Sequence, residues 1–295
     1  MQQKVLIIFN PKSGLSYPKN YQTCFLKEYL NHAPNDQCSW LELKPRPLTE
    51  DLKPYHLPDF KKIIIIGGDG TIKSVATYLI KNNLDIPLAV IPQGSANSLA
   101  SSLNIPLIQK FAIKNSAAGK IKKIDVGVLN KKEYFLVGVS IGLISQIVIN
   151  TPRSFKKRVG MLAYFLELLK NLKIKENVFE FQIDNKSFSI KGNSVIIANA
   201  LSLLKLQPKQ SIDTSDGLLD VIVSKNKTIF GFFTILFFIF FNFKLNKIAF
   251  IKQGKKIALK GDSLKNQAVQ IDGETITANK IEVEILPQKL TFIIQ

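Results

Sequence analysis

Two cysteines and two histidines are all that the 295 residues contain, and that scarcity excludes several chemistries. Cys24 and Cys38 are too few for a disulfide framework and lack metal-ligand spacing, so a reducing cytoplasmic setting fits. His32 and His56 fall in a stretch that reads as helix and loop, which leaves nothing to build a His-based triad or an HExxH zinc site. Any metal must therefore be held by carboxylates. Acidic residues are short as well: 22 Asp+Glu against 40 Lys+Arg give a net charge of +18. Such an excess attracts polyanions or an anionic bilayer, although a solvated lysine surface accounts for it equally well. Arginine is rare beside lysine, and no Arg-rich arm, zinc-finger spacing or aromatic-basic RNP motif is present, which sets nucleic acid aside as a partner.

Long apolar runs are also few. Met1 to Asn10, MQQKVLIIFN, is too short in its apolar part for a signal peptide and reads as a first strand. Ile229 to Phe243, IFGFFTILFFIFFNF, reaches only about 22 Å as a helix, short of a bilayer core of roughly 30 Å. Lys225, Lys227, Lys244 and Lys247 flank it. It reads either as an interfacial segment with snorkelling lysines or as a buried helix or dimer contact, which leaves a homodimer open.

The apolar fraction, 46%, is ample for a core, and the length suits two domains. Over the first 120 residues, strand and helix signals alternate. Val5 to Phe9, Ile63 to Ile66 and Leu88 to Ile91 are buried-type runs, with helical stretches at Tyr21 to Leu30 and Ile72 to Lys81. This predicts an α/β domain with a parallel sheet covered on both faces, over residues 1–121. From about Lys122 the pattern becomes a series of short strands, including Tyr134 to Val139, Val178 to Ile183 and Ile281 to Ile285, interrupted by helical stretches at Val159 to Leu172 and Phe230 to Phe243. That predicts a β-sandwich over 122–295, with the last strand able to return to the first domain.

Three loops follow the three apolar runs. Gly67-Gly68-Asp69-Gly70-Thr71, before Ile72 and Lys73, sits between a strand and a helix, where glycines admit a phosphate and the helix N-terminus adds positive potential. It is not a Walker A loop. Asp69 would repel bare phosphate, which argues for an intervening cation; the plainer alternative is a glycine turn with Asp69 as a helix cap. Asn10-Pro11-Lys12-Ser13-Gly14 follows the first strand, and Pro92-Gln93-Gly94-Ser95-Ala96-Asn97 the third. Singly each reads as a turn; three at neighbouring strand ends read as a nucleotide site.

NPKSG, GGDGT and the PxGSxN run, in this order, resemble the diacylglycerol kinase catalytic domain of bacterial diacylglycerol kinases, YegS-like lipid kinases, and sphingosine and ceramide kinases. FLVGVSIG at 135–142, KKRVGMLAY at 156–164, DTSDGLLDV at 213–221 and Asp272-Gly273-Glu274 continue the resemblance along nearly the whole chain. It implies an NAD-kinase-like α/β domain followed by a lipid-acceptor β-sandwich, with ATP held between them by Asn10 to Gly14, Gly67 to Lys73, Ser95 and Asn97. It further implies Glu274 as general base with Asp69 and Asp272 in the catalytic set, and Mg²⁺ held at Asp213, Asp216 and Leu218, the outer two through their backbone carbonyls. The expected activity is ATP-dependent phosphorylation of a diacylglycerol-like or other long-chain lipid, by a cytoplasmic protein peripheral to the inner face of the membrane. A small-molecule kinase of the NAD-kinase or phosphofructokinase group and an inactive membrane-binding module are the alternatives. The sequence departs from the family pattern at Ser98 to Ser101 and at Leu201 to Lys205, both on the acceptor side.

Overall fold

The computed structural model describes residues 3–14, 16–143, 145, 176–200, 213–225, 249–259 and 269–295. The expected helices at Val159 to Leu172 and Phe230 to Phe243, the 156–164 motif and the Leu201 to Lys205 departure lie outside them. The chain divides into two compact units: residues 1–124 with 288–295, and residues 125–287.

The first unit is α/β. Its parallel strands β1 (Gln3–Phe9), β2 (Asp36–Glu42), β3 (Lys62–Gly67) and β4 (Leu88–Pro92) lie in the order β2-β1-β3-β4. Val5 to Ile8, Ile63 to Ile66 and Leu88 to Ile91 are wholly buried, as strands covered on both faces must be. Every second residue (Val5, Ile7, Ile64, Ile66, Ala89, Ile91) packs against Tyr21, Phe25 and Tyr29 of α1 (Tyr21–Leu30) and against Ala112 and Ile113. α2 (Leu48–Leu52) is a single short turn of helix. α3 (Asp69–Lys81) packs on β3 and buries Ile72, Val75, Ala76, Leu79 and Ile80, one stripe at helical spacing. α4 (Ser98–Ser102) and α5 (Gln109–Ala118) complete the covering.

At the amino-terminal edge of this sheet a polar network replaces apolar packing. Lys62 and Asp36 have side chains 9% and 10% exposed and stand 3.4 Å apart. Lys62 also donates to the Ser116 carbonyl at 3.1 Å, and the Tyr29 hydroxyl to Asp36 at 2.5 Å. The pair thus joins β2, β3, α1 and α5. Burial, then the Asp36 charge, push the Cys38 thiol up to about 11, with Lys62 opposing.

The second unit is an antiparallel sandwich. One sheet runs β12 (Ala249–Gly254), β11 (Leu219–Ser224), β10 (Ser194–Ala198), β7 (Gly138–Gly142), β14 (Val269–Ile271), β15 (Glu274–Ile276). The other contains β16 (Ile281–Ile294), β13 (Lys256–Leu259), β8 (Asn177–Ile183) and β9 (Lys186–Gly192). β5 (Lys120–Leu129) pairs with β16 and with β6 (Glu133–Phe135). β8 shows the required alternation: Phe179, Phe181 and Ile183 enter the core while Val178, Glu180 and Gln182 do not. They share one cluster with Val195, Ile197, Val221 and Val223 of the facing sheet.

Two strands differ from expectation. Tyr134 to Val139 is not one strand: β6 ends at Phe135 and β7 begins at Gly138 in the other sheet. The N–H groups of Leu136, Val137 and Gly138 donate to the Asp272 carboxylate at 2.8 to 2.9 Å, which satisfies them without a neighbouring strand. The final strand does not stop at Ile285. It pairs antiparallel with β13 through Glu284, passes Pro287 and Gln288 (φ +49°), and ends parallel to β4, with Phe292 opposite Leu88.

Lys62→Met is expected to cost about 3–5 kcal/mol in urea denaturation, because it strands a buried carboxylate, and Lys62→Met/Asp36→Leu to recover most of that loss. Exposed Cys24 is expected to alkylate readily at pH 8 while Cys38 resists until the chain unfolds. A thiol at about 11 is roughly one-thousandth thiolate at that pH. Mass-resolved alkylation kinetics read both.

Candidate active site

Because β1, β3 and β4 are parallel and adjacent, their following loops gather at one end of the sheet. Backbone bonds fix the gathering: Asn10 N–H to the Ile66 carbonyl at 3.0 Å and Gln93 N–H to the Gly67 carbonyl at 2.9 Å. The Asn10 side chain accepts from its own turn at Lys12 N–H (3.0 Å) and donates to the Thr71 hydroxyl (2.8 Å), which ties the first loop to the second.

The second and third loops touch through bare backbone. A β-carbon on Gly68 would lie 2.9 Å from the Gly94 α-carbon, and one on Gly94 would lie 2.8 Å from the Gly68 α-carbon and 2.9 Å from the Asn97 side-chain oxygen. Only glycine fits at either position. Asn97 holds the third turn in shape by accepting from Gly94 N–H (2.7 Å) and donating to its carbonyl (2.9 Å), at a φ of +50° that asparagine tolerates. Gly14, at φ +78°, has the Tyr17 hydroxyl and the Gln93 carbonyl as its nearest neighbours. α3 begins at Asp69 without a side-chain cap, and the first N–H groups of a helix have no partner within it.

Asp69 is the first residue of α3, and its carboxylate does not cap that helix. Its two oxygens accept the N–H groups of Ser98 and Leu99, each at 3.1 Å, so it caps α4 instead and ties GGDGT to the third loop. This accounts for an acid inside a phosphate-type loop without a cation between them. Ser98 to Ser101, where the sequence departs from the family pattern, forms the capped turn. Of the remaining expected residues, Pro11, Lys12, Gly70 and Ser95 are exposed, Ser13 and Lys73 are half-buried, and Gly67, Thr71 and Ile72 are buried under the loop.

The acidic motifs belong to the second unit. Asp272 (φ +48°) and Gly273 (φ +89°) form the two-residue turn between β14 and β15, with Ile271 opposite Glu274. Because the Asp272 carboxylate takes three backbone N–H groups, it positions the hairpin, and exposed Glu274 stands at the hairpin's start. In the 213–218 turn, Asp213 accepts from the Ser215 N–H and hydroxyl at 3.0 and 2.8 Å, and Asp216 from Leu218 N–H at 2.9 Å. Gly217, at φ +72°, donates to the wholly buried Asp125 at 2.7 Å.

The sequence reading missed Asp125, Asp220, Asn199 and Tyr17. Asp220 is buried in β11, which pushes its carboxyl up; the Asp216 charge adds to that and a Gln253 hydrogen bond opposes it. The Asn199 amide donates to the Asp125 and Leu136 carbonyls and so braces the β6–β7 crossing. The buried hydroxyls of Tyr17 and Tyr21 have no hydrogen-bond partner among the described residues. The DGLLDV run offered a signal for Asp220; the others depend on contacts from far along the chain.

Gly94→Ala is expected to cost about 1–3 kcal/mol, since its methyl would push on the Gly68 backbone. Gly70→Ala, whose methyl would meet nothing within 4 Å and which lies in a helix, should hold stability or raise it by about 0.5–1 kcal/mol. Urea melts of the two variants check the contrast.

Comparison with known proteins agrees with this geometry. The profile of the diacylglycerol kinase catalytic domain matches residues 4–129, and that of the YegS C-terminal NAD kinase beta sandwich-like domain matches residues 138–294. A Synechocystis protein, sll0036, is 29% identical over 237 residues, 77% of this chain; the chain spans about half of that protein's length, 53%. A Staphylococcus aureus (strain MSSA476) protein named "putative lipid kinase" is 28% identical over 245 residues, 80% of this chain and 77% of its own. Two Bacillus anthracis crystal structures, one of a diacylglycerol kinase and one of a "putative diacylglycerol kinase", share the fold, with TM-scores of 0.76 and 0.81 at 22% and 24% identity. Each comparison covers 99% of this chain and 97% of the other. With glycine loops at the parallel strand ends, an antiparallel sandwich and both domain profiles in place, the chain belongs to the diacylglycerol kinase catalytic-domain family, in its YegS-like form.

Proposed function

We propose that the protein is an ATP-dependent lipid kinase that transfers the γ-phosphoryl group of ATP to the hydroxyl of a diacylglycerol-like or other long-chain lipid. The observation that carries this reading is the backbone contact of Gly68 with Gly94. It holds two glycine-bearing loops against each other beside the start of α3, whose first N–H groups have no partner within the helix, an arrangement that suits a phosphate chain. Lipid-kinase and diacylglycerol-kinase names among the relatives support the same reading.

Bound ATP with Mg²⁺ supplies the phosphoryl group and a cation over its oxygens. The chain's own residues divide the remaining work. Asn10 to Gly14, Gly67 to Lys73, Ser95 and Asn97 position the phosphates, with Asp69 keeping two of the loops in register. Glu274 takes the proton of the acceptor hydroxyl, and Asp272 holds the hairpin that carries it. Asp216, with the backbone carbonyls of Asp213 and Leu218, would hold Mg²⁺. The fit is reasonable on charge: Asp216 stands close enough to add to the upward shift of Asp220, and a divalent cation would relieve that repulsion. Among the described residues no three His, Cys, Asp or Glu side chains cluster to bind a metal by themselves, so main-chain carbonyls would have to serve beside the Asp216 carboxylate. No described helix is long and apolar enough to cross a membrane. A peripheral position at the inner face of the membrane is part of the proposal.

The test is radiolabel transfer from ATP to a panel of lipids presented in anionic vesicles. Wild type should label at least one long-chain alcohol, and Glu274→Gln should slow transfer by about 10²–10⁴-fold with melting unchanged. Label appearing only in water-soluble acceptors, or in none, would refute the reading. Glu274 is the better probe than Asp69, because Asp69→Asn also replaces one of the two oxygens that cap α4 with a donor.

A further inference from the structure

Among the described residues four large apolar side chains are strongly exposed: Ile108 (64%), Phe111 (55%), Ile121 (67%) and Val178 (47%). Three of the four fall within fourteen residues, and the run from Ile108 to Lys123, IQKFAIKNSAAGKIKK, holds five lysines and no carboxylate. The helix periodicity explains the grouping. Ala112, Ile113, Asn115 and Ser116 are the buried positions of α5, which leaves Lys110, Phe111, Lys114 and Ala118 on one solvent arc, with Ile108 at its start. The same helix is wired to the phosphate loops: Gln93, beside Gly94, donates to Gln109, the first residue of α5, at 3.0 Å.

We propose that this arc of α5 is the surface by which the protein docks on an anionic bilayer. An isoleucine and a phenylalanine between lysines fit a lipid surface on both counts: the apolar groups enter the acyl boundary while the ammonium groups stay among anionic head groups. Charge complementarity selects this occupant over a second copy of the chain, which would set lysine against lysine in a protein of net charge +18. Nucleic acid would satisfy the lysines and leave Ile108 and Phe111 in water. The inference deepens the lipid-kinase reading and rests on it for its purpose: docking through α5 brings the phosphate loops of the same unit to the surface that holds the acceptor.

Sedimentation of the nucleotide-free full chain with vesicles tests it, comparing phosphatidylglycerol-rich with pure phosphatidylcholine vesicles. Wild type should bind the anionic vesicles and only weakly the neutral ones. Ile108→Ser/Phe111→Ser and Lys110→Gln/Lys114→Gln should each lower binding on the order of tenfold, with melting temperature unchanged and Val178→Ser binding as wild type. Both double variants should keep wild-type transfer to a short-chain diacylglycerol dispersed in detergent. Equal binding by wild type and double variants, or equal binding to neutral vesicles, would overturn the docking surface and leave the kinase reading standing. Vesicle binding lost in the double variants, with no lipid ever phosphorylated by wild type, would uphold the surface and refute the kinase reading.

Discussion

The loop end of the first unit depends on two glycine α-carbons meeting where any side chain would hold their loops apart. Backbone contact at Gly68 and Gly94 is worth little by itself, and it persists because neighbouring groups impose it. The register of β3 and β4 brings the two loops side by side, and the Asp69 carboxylate fastens one to the other through Ser98 and Leu99. Asn10 adds the loop of β1 through Thr71. Loops held this way are preorganised, so a ligand of this site need not order them at the cost of its own binding energy.

The use of aspartate on backbone N–H groups recurs. Asp272 takes three successive N–H groups where β6 passes to β7, Asp184 takes those of Lys255 and Lys256, and Asp125 takes that of Gly217. In each case a carboxylate satisfies donors that a sheet or helix would otherwise have to supply, and charge-assisted bonds of this type are stronger than neutral ones. In a chain this short of acid, several of the carboxylates therefore serve the fold, including members of motifs that look catalytic. Glu274 differs: it is exposed at the start of β15, on a turn whose shape another residue maintains.

Much of the architecture was legible in the sequence. Wholly apolar runs such as Ile63 to Ile66 signal strands buried on both faces, and the core side of α1 follows from Tyr21, Phe25 and Tyr29 at four-residue spacing. β2 was missed because DQCSWLE carries half-exposed and polar residues, as befits a strand with a neighbour on one side only among the described residues. α5 was missed because it buries Asn115 and Ser116, whose side chains bond to Ile293 and Ile113 carbonyls. The three glycine loops could be read as a group from their places after strands. The roles of Asp69 and Asp272 could not, because their partners lie about 30 and 135 residues away and only the folded chain brings them close.

The final strand, which gives its first half to the sandwich and its last residues to the edge of the parallel sheet beside Leu88, bears on the order of events during synthesis. Residues 1–124 leave the ribosome before residues 125–287, yet the unit they begin is completed only by residues 288–295, which follow the whole of the second unit. Until then the β4 edge and the Asn115 side chain, which bonds the Ile293 carbonyl, wait for their partners. The unit begun first along the chain is thus completed after the other, and a nascent chain stalled within the sandwich would carry an unfinished α/β unit.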